Sequence, residues 1–171
     1  VSDASSNITS SGGNVSVTGT GGGTGTSGGN IGVRVLTAGT ISAGGSGTVT
    51  VVGNGGSSSG AINHGVFVSG ASSSITSSGG NVSVSGTGGG GVSGLGIVTG
   101  SDGSITTATS GGNITLIANS LENSADISTN GSSSTTLRPY TNGTQINLGP
   151  ATNPISPFRG WGLFTKLTHQ L

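Results

Sequence analysis

Two runs in this chain satisfy the G-x-S-x-G pattern of a nucleophile elbow: Gly25-Thr26-Ser27-Gly28-Gly29 and Gly56-Ser57-Ser58-Ser59-Gly60. In a hydrolase that pattern lifts a serine hydroxyl onto a strained strand-to-helix turn, beside a histidine that takes its proton. The candidate bases are His64 and His169 alone, and no helix-forming sequence follows either run. A chain this rich in Gly and Ser produces the pattern by composition, so both runs read as corners. Gly23-x-Gly25-x-x-Gly28 matches a dinucleotide fingerprint in the same way, without the βαβ frame that gives it meaning. No catalytic or cofactor-binding residue is assigned.

Metal chemistry fares no better. His64 has no second His, Cys or carboxylate recurring at ligand spacing. Asp102, in Gly100-Ser101-Asp102-Gly103, stands alone where calcium-binding repeats need an Asp in every turn. No metal site and no cofactor is assigned. Enzymes that cut polysaccharides on solenoids gather carboxylates or basic groups on one strand face; the polar face here is Ser, Thr and Asn. Phe67 is expected to point outward, opposite to Val66 and Val68, where it could stack on a sugar ring or a neighbouring surface. Sequons begin at Asn7, Asn14, Asn81, Asn113, Asn130 and Asn142, a number that follows from the abundance of Ser and Thr, so no modification is assigned. The Thr-x-Thr pairs Thr18/Thr20, Thr24/Thr26 and Thr48/Thr50 resemble ice-binding arrays, but they do not align from repeat to repeat.

Composition leaves little raw material for chemistry. The 171 residues include 38 Gly, no Cys and no Met, with 5% charged and 3% aromatic residues. An ordinary domain carries about a quarter charged residues. In the first hundred positions Asp3, Arg34 and His64 are the only titratable side chains. A net charge of zero offers no electrostatic footprint for nucleic acid or an anionic membrane. No apolar run reaches membrane-spanning length. The start at Val1, without an export signal, is read as that of a fragment whose signal lies upstream.

The elements that would position these residues recur at 30 to 34 residues. Units start at Ile8, Ile41, Ile75 and Ile105, and a paired apolar strand follows in each: Val15/Val17, Val49/Val51, Val82/Val84 and Ile114/Leu116. Strict alternation in Asn14-Val15-Ser16-Val17-Thr18 marks a half-buried β-strand. A third strand position holds Gly32-Val33-Arg34-Val35, Gly65-Val66-Phe67-Val68 and, in the third unit, Leu95-Gly96-Ile97-Val98. Gly12-Gly13, Gly44-Gly45, Gly79-Gly80 and Gly111-Gly112 read as corners needing positive φ. Gly21 to Gly23 and Gly88 to Gly91 predict wider loops of variable order. Helix is excluded by the period of two and by the glycine content.

One such unit cannot bury its few apolar residues alone, so the units must stack. The fold expected is all-β: a parallel β-helix with three strands per coil, apolar ladders inside and Ser/Thr/Asn ladders outside. A half-length coil is an alternative, because Gly28-Gly29-Asn30-Ile31-Gly32-Val33 resembles Gly12-Gly13-Asn14-Val15-Ser16-Val17.

The runs Ile8-Thr9-Ser10-Ser11-Gly12-Gly13-Asn14-Val15-Ser16-Val17 and Asn63-His64-Gly65-Val66-Phe67-Val68 resemble repeats of large bacterial exported proteins similar to filamentous haemagglutinin. Thr136-Leu137-Arg138-Pro139 and Gln145-Ile146-Asn147-Leu148-Gly149 are similar to another unit of those proteins, and the resemblance covers about residues 5 to 150. It implies a right-handed parallel β-helix, export by two-partner secretion or as an autotransporter-like passenger, and an adhesive or structural role. The implied location is secreted or at the bacterial outer membrane. Implied partners are a host or neighbouring-cell surface, glycan or matrix components, and an outer-membrane secretion partner acting on regions outside this chain.

Residues 1–150 therefore read as the repeat region, with a degenerate unit after the fourth. Residues 151–171, with Pro154, Pro157, Phe158 and Trp161, read as a divergent tail, either a cap or an out-of-frame terminus. The functional expectation is a non-catalytic adhesin or stalk. The alternatives are a non-catalytic part of a carbohydrate-active β-helix protein and a disordered Gly/Ser-rich linker.

Overall fold

The computed structural model describes residues 1–108 and 112–144. The first coil carries β1 (Asn7–Ser10), β2 (Val15–Thr20) and β3 (Val33–Leu36); the second carries β4 (Thr40–Ala43), β5 (Val49–Asn54) and β6 (Val66–Ser69). The third has β7 (Ser74–Ser77), β8 (Val82–Thr87) and β9 (Ile97–Gly100). The fourth has β10 (Ser104–Thr107), β11 (Ile114–Ala118) and β12 (Leu121–Asn123), and β13 (Asp126–Ser128) and β14 (Thr135–Pro139) follow. All pairing is between coils and parallel, giving sheets β1-β4-β7-β10-β13, β2-β5-β8-β11-β14 and β3-β6-β9-β12. The chain is a β-solenoid with three strands per coil. The half-length coil is overturned: Gly28 to Ile31 belong to a loop, and only Val33 opens a strand.

Register follows the apolar spacing. Ile8, Ile41, Ile75, Ile105 and Ile127 stand opposite one another, as do Val15, Val49, Val82 and Ile114. Ile41, Ile75, Ile105, Val49, Val82 and Ile114 are completely enclosed, each contributing about 1.5–3 kcal/mol of burial. Ile8, in the same column, is exposed because only one strand flanks β1. The third strand of the third coil starts at Ile97, in register with Val66, so Leu95 precedes it. Thr99 then takes the second inward place, fully buried, and its hydroxyl donates to Asn123 Oδ1.

Glycine serves the corners differently from the expected way. Gly13, Gly47, Gly80 and Gly112 form one column, one residue pair ahead of the second-sheet strands. A methyl on Gly47 would overlap the carbonyl oxygen of Gly13, and one on Gly80 that of Gly47. Close approach to the preceding coil demands glycine at Gly47, Gly80 and Gly112, whereas Gly13, in the first coil, has open space around it; of the expected corner glycines among the described residues only Gly45 has positive φ, 54°. In the second coil it is Gly47, two residues after Gly45, that occupies the column. Positive φ instead stacks at the corner entering the first sheet: Ser5, Ala38, Ser72 and Asp102, at 76°, 65°, 63° and 61°. Each is the third residue of a turn closed by a backbone bond: Ser6 to Asp3, Gly39 to Leu36, Ser73 to Gly70 and Gly103 to Gly100, at 2.9–3.0 Å. Asp102, weighed above as a calcium ligand, is thus a turn residue.

The glycine-rich loops form a lobe between the second and third sheets. Each loop leaves as one limb and returns as another, with peptide groups facing peptide groups. A methyl on Gly19, Gly53 or Gly86 would overlap the carbonyl of Gly32, Gly65 or Gly96 on the returning limb. Bonds between coils continue through the lobe, including Gly21 N to Asn54 O at 2.7 Å, Gly56 N to Asn30 O at 2.8 Å and Gly90 N to Gly56 O at 3.0 Å. These loops are stitched to one another. The fourth coil omits the lobe: only Asn119 and Ser120 link β11 to β12, and their side chains accept from Gly88 N and Gly96 N at 3.0 Å each. From there the spacing shortens: β12, β13 and β14 stand 24, 22 and 21 residues after their partners β9, β10 and β11. The proposed tail at 151–171 and the run at 145–149 lie outside the described residues.

Candidate functional site

The elbow serines are structural. Ser58 is buried in the lobe, where its hydroxyl donates to Ser27 O and accepts from Asn30 Nδ2, both at 2.8 Å. Asn63, wholly enclosed, donates through Nδ2 to Ser58 O, Gly60 O and Gly90 O at 2.9 Å each, and its Oδ1 accepts from Asn30 N and Nδ2 at 3.1 and 3.0 Å. This amide network ties the three lobes together. Ser27 is exposed, and among the described residues neither serine is hydrogen-bonded to His64. The Gly23/Gly25/Gly28 run lies in the first lobe with no helix after it. His169 lies outside the described residues.

Three of the sequon asparagines hold coils together at the mouth of the second sheet. Asn14 Oδ1 accepts from Thr48 N at 2.9 Å, Asn81 Oδ1 from Asn113 N at 2.8 Å, and Asn113 Oδ1 from Ser134 N at 2.9 Å. Asn7 and Asn130 donate to Ser5 O and Thr107 O, and Asn142 is exposed. Hydroxyls also pair between coils, Ser42 to Thr9 at 2.9 Å and Thr106 to Thr76 at 3.2 Å. Thr18 stands opposite Val52 and Thr20 opposite Asn54, so the Thr-x-Thr pairs do not align.

Charge and aromaticity meet on the third sheet. On the outward side of the third sheet, Arg34, Phe67, Val98 and Glu122 form a single column, one residue per coil, with rungs about 4.8 Å apart. Arg34 and Glu122 are exposed, Phe67 is half-buried, and Val98 is covered despite facing outward. The ring of Phe67 stacks on the imidazole of His64, with centroids 5.6 Å apart and planes 20° apart. His64 is buried, and its Nδ1 accepts from the backbone N of Leu95 at 3.1 Å, which places the neutral ring's proton on Nε2. Burial holds the His64 pKa below its usual value, while the carboxylate of Glu122 pulls it upward.

Among the described residues, no group of three or more His, Cys, Asp or Glu gathers where it could hold a metal ion. The column offers binding chemistry: an aromatic face, a guanidinium and a carboxylate. Phe67 was legible in the sequence through its alternation with Val66 and Val68. Glu122 was not, because the fourth coil drops its lobe and shifts the spacing. No family model, no curated protein and no solved structure matches this chain.

Proposed function

We propose that this chain is a segment of a bacterial exported surface solenoid, acting as an adhesive stalk without catalysis. The observation that supports it is the way each coil uses its polar side chains. Asn14, Asn81 and Asn113, and the hydroxyls of Ser42 and Thr106, bond from coil to coil, so they stiffen a rod. The outward faces of the first and second sheets carry repeating hydroxyl ladders, Thr9–Ser42–Thr76–Thr106 and Ser16–Thr50–Ser83–Thr115, suited to many weak contacts with a cell surface, a glycan or matrix. Such contacts gain strength by multiplicity.

Beads coated with the wild-type chain should bind epithelial or bacterial cell layers more strongly than beads coated with a Val82→Asp chain, whose fold is disrupted. Equal, background-level retention of both would defeat the adhesive reading.

A further inference from the structure

On the outward side of the third sheet, the Arg34–Phe67–Val98–Glu122 column brings unlike chemistries to a fixed spacing, one residue per coil. Phe67 is half-exposed, and its ring is held by stacking on a buried imidazole, which is itself tied to the next coil through Leu95 N. An aromatic ring fixed in this way loses little freedom when a ligand covers it. Val98 extends the apolar floor one rung further. Among the described residues no ion pair or hydrogen bond engages the guanidinium of Arg34, which stands one rung from Phe67. Glu122 stands two rungs away on the other side, where its carboxylate acts on the His64 imidazole against which Phe67 is stacked.

We infer that this column is a binding site for an acidic oligosaccharide, with a sugar ring on Phe67 and its carboxylate on Arg34. The C–H face of a pyranose is apolar enough to cover an aromatic ring, while its hydroxyls stay at the edge for polar partners. Guanidinium and carboxylate match as a planar, two-bond pair. Glu122 accepts hydroxyls from a following sugar unit. Arg34 and Glu122 lie three rungs apart, about 14 Å, so the site fits a short chain of sugars laid along the solenoid axis rather than a single ring. This assignment deepens the adhesive reading and rests on it.

Calorimetric titration of the whole chain with an oligogalacturonate, and with its carboxyl-reduced neutral counterpart, tests it. The wild type should bind the acidic form about tenfold or more tightly than the neutral one, the worth of one charge-assisted contact. Arg34→Gln should bring the two affinities together, Phe67→Ala should weaken both, and Ser83→Ala on the second sheet should change neither. Circular dichroism melting shows that each variant is folded. No binding by the wild type, or an undiminished acid preference in Arg34→Gln, overturns the site. Cell retention of beads carrying the Arg34→Gln/Phe67→Ala double variant at the wild-type level also overturns the site and leaves the adhesive reading intact, whereas loss of retention by the wild type removes that reading.

Discussion

The sheets and the lobe of this solenoid bury opposite things. In the sheets, Ile41, Ile75, Val49 and Val82 fill the interior with branched side chains that stack from coil to coil. Where the second-sheet strands run into the lobe, Gly53 and Gly65, or Gly86 and Gly96, bring backbone against backbone with nothing between them. One region is specified by what its side chains are, and the other by where side chains are missing. The fourth coil makes the same point. Ala118 stands in the Gly19–Gly53–Gly86 column, and its methyl is admitted where the lobe is omitted.

The largest break should come from the sheets. Val82→Asp places a carboxylate among Val49, Val84 and Ile114 with no partner, whereas Ser83→Asp points the same charge outward. An unpaired buried charge costs several kcal/mol, enough to unfold a domain of ordinary stability of about 5–15 kcal/mol. Thermal melting followed by circular dichroism should show the cooperative strand signal lost in the first variant and nearly unchanged in the second. Equal effects would mean that the inner and outer faces are misassigned.

The lobe should break through addition rather than removal. In Gly53→Ala the new methyl meets the Gly65 carbonyl and the Val66 side chain, a backbone overlap that cannot swing away. Overpacking of that kind costs about 3 kcal/mol at its upper end. Gly12→Ala has no atom within 4 Å of the added methyl and no positive φ, so it should be neutral or stabilising by about 0.5 kcal/mol. Denaturant melts of the pair would separate close approach from conformational freedom as the reason for glycine.

That contrast also explains how much of the molecule could be read in advance. Alternating Val and Ile carry a face and a register, and so Ile8/Ile41/Ile75/Ile105 and the Val15 column predict the parallel pairing as observed. A glycine carries no direction. The doublet Gly44-Gly45 therefore gives no sign that Gly47 holds the corner column, and nothing in Ser5, Ala38 or Ser72 announces a left-handed backbone. Stacking of identical turns imposes that conformation against a local cost of about 1–2 kcal/mol per residue. Asn14, Asn81 and Asn113 met a sequon pattern, while their work is to accept backbone hydrogen bonds from the next coil. Of the candidate site, Arg34 and Phe67 follow the repeat, but their conjunction with His64 and Glu122 depends on a corner conformation and a missing lobe.

Asn63 lets the lobe be weakened without touching the sheets. Asn63→Leu removes an amide that donates to Ser58, Gly60 and Gly90 and leaves the buried Ser58 carbonyl and the partly buried Gly60 and Gly90 carbonyls without it. The expected loss is about 1–3 kcal/mol, felt locally. Hydrogen exchange should show faster exchange for Gly29, Gly56 and Gly90 amides, with Val49 and Val82 protected as before. Uniform acceleration across both regions would mean that lobe and sheets unfold as one unit.

The smallest effect sits where lobe and third sheet meet. His64 is held neutral in the fold, chiefly by burial, with its Nδ1 accepting from Leu95 N and with Glu122 opposing the shift. A base whose pKa is lowered in the folded state binds its proton more readily when unfolded. The stability this residue contributes is therefore complete above the unfolded value of 6.5, falls as pH drops through it, and levels off below the folded value. Protonation also removes the acceptor that Leu95 uses, which loosens the lobe first. Melting temperatures from about pH 7.5 down to about 5.5 should fall more steeply for the wild type than for His64→Gln. Glu122→Gln should steepen the wild-type slope, because the carboxylate that favours the charged imidazole is gone. A slope unchanged by His64→Gln would place the acid sensitivity elsewhere, and one made shallower by Glu122→Gln would contradict the sign of the coupling.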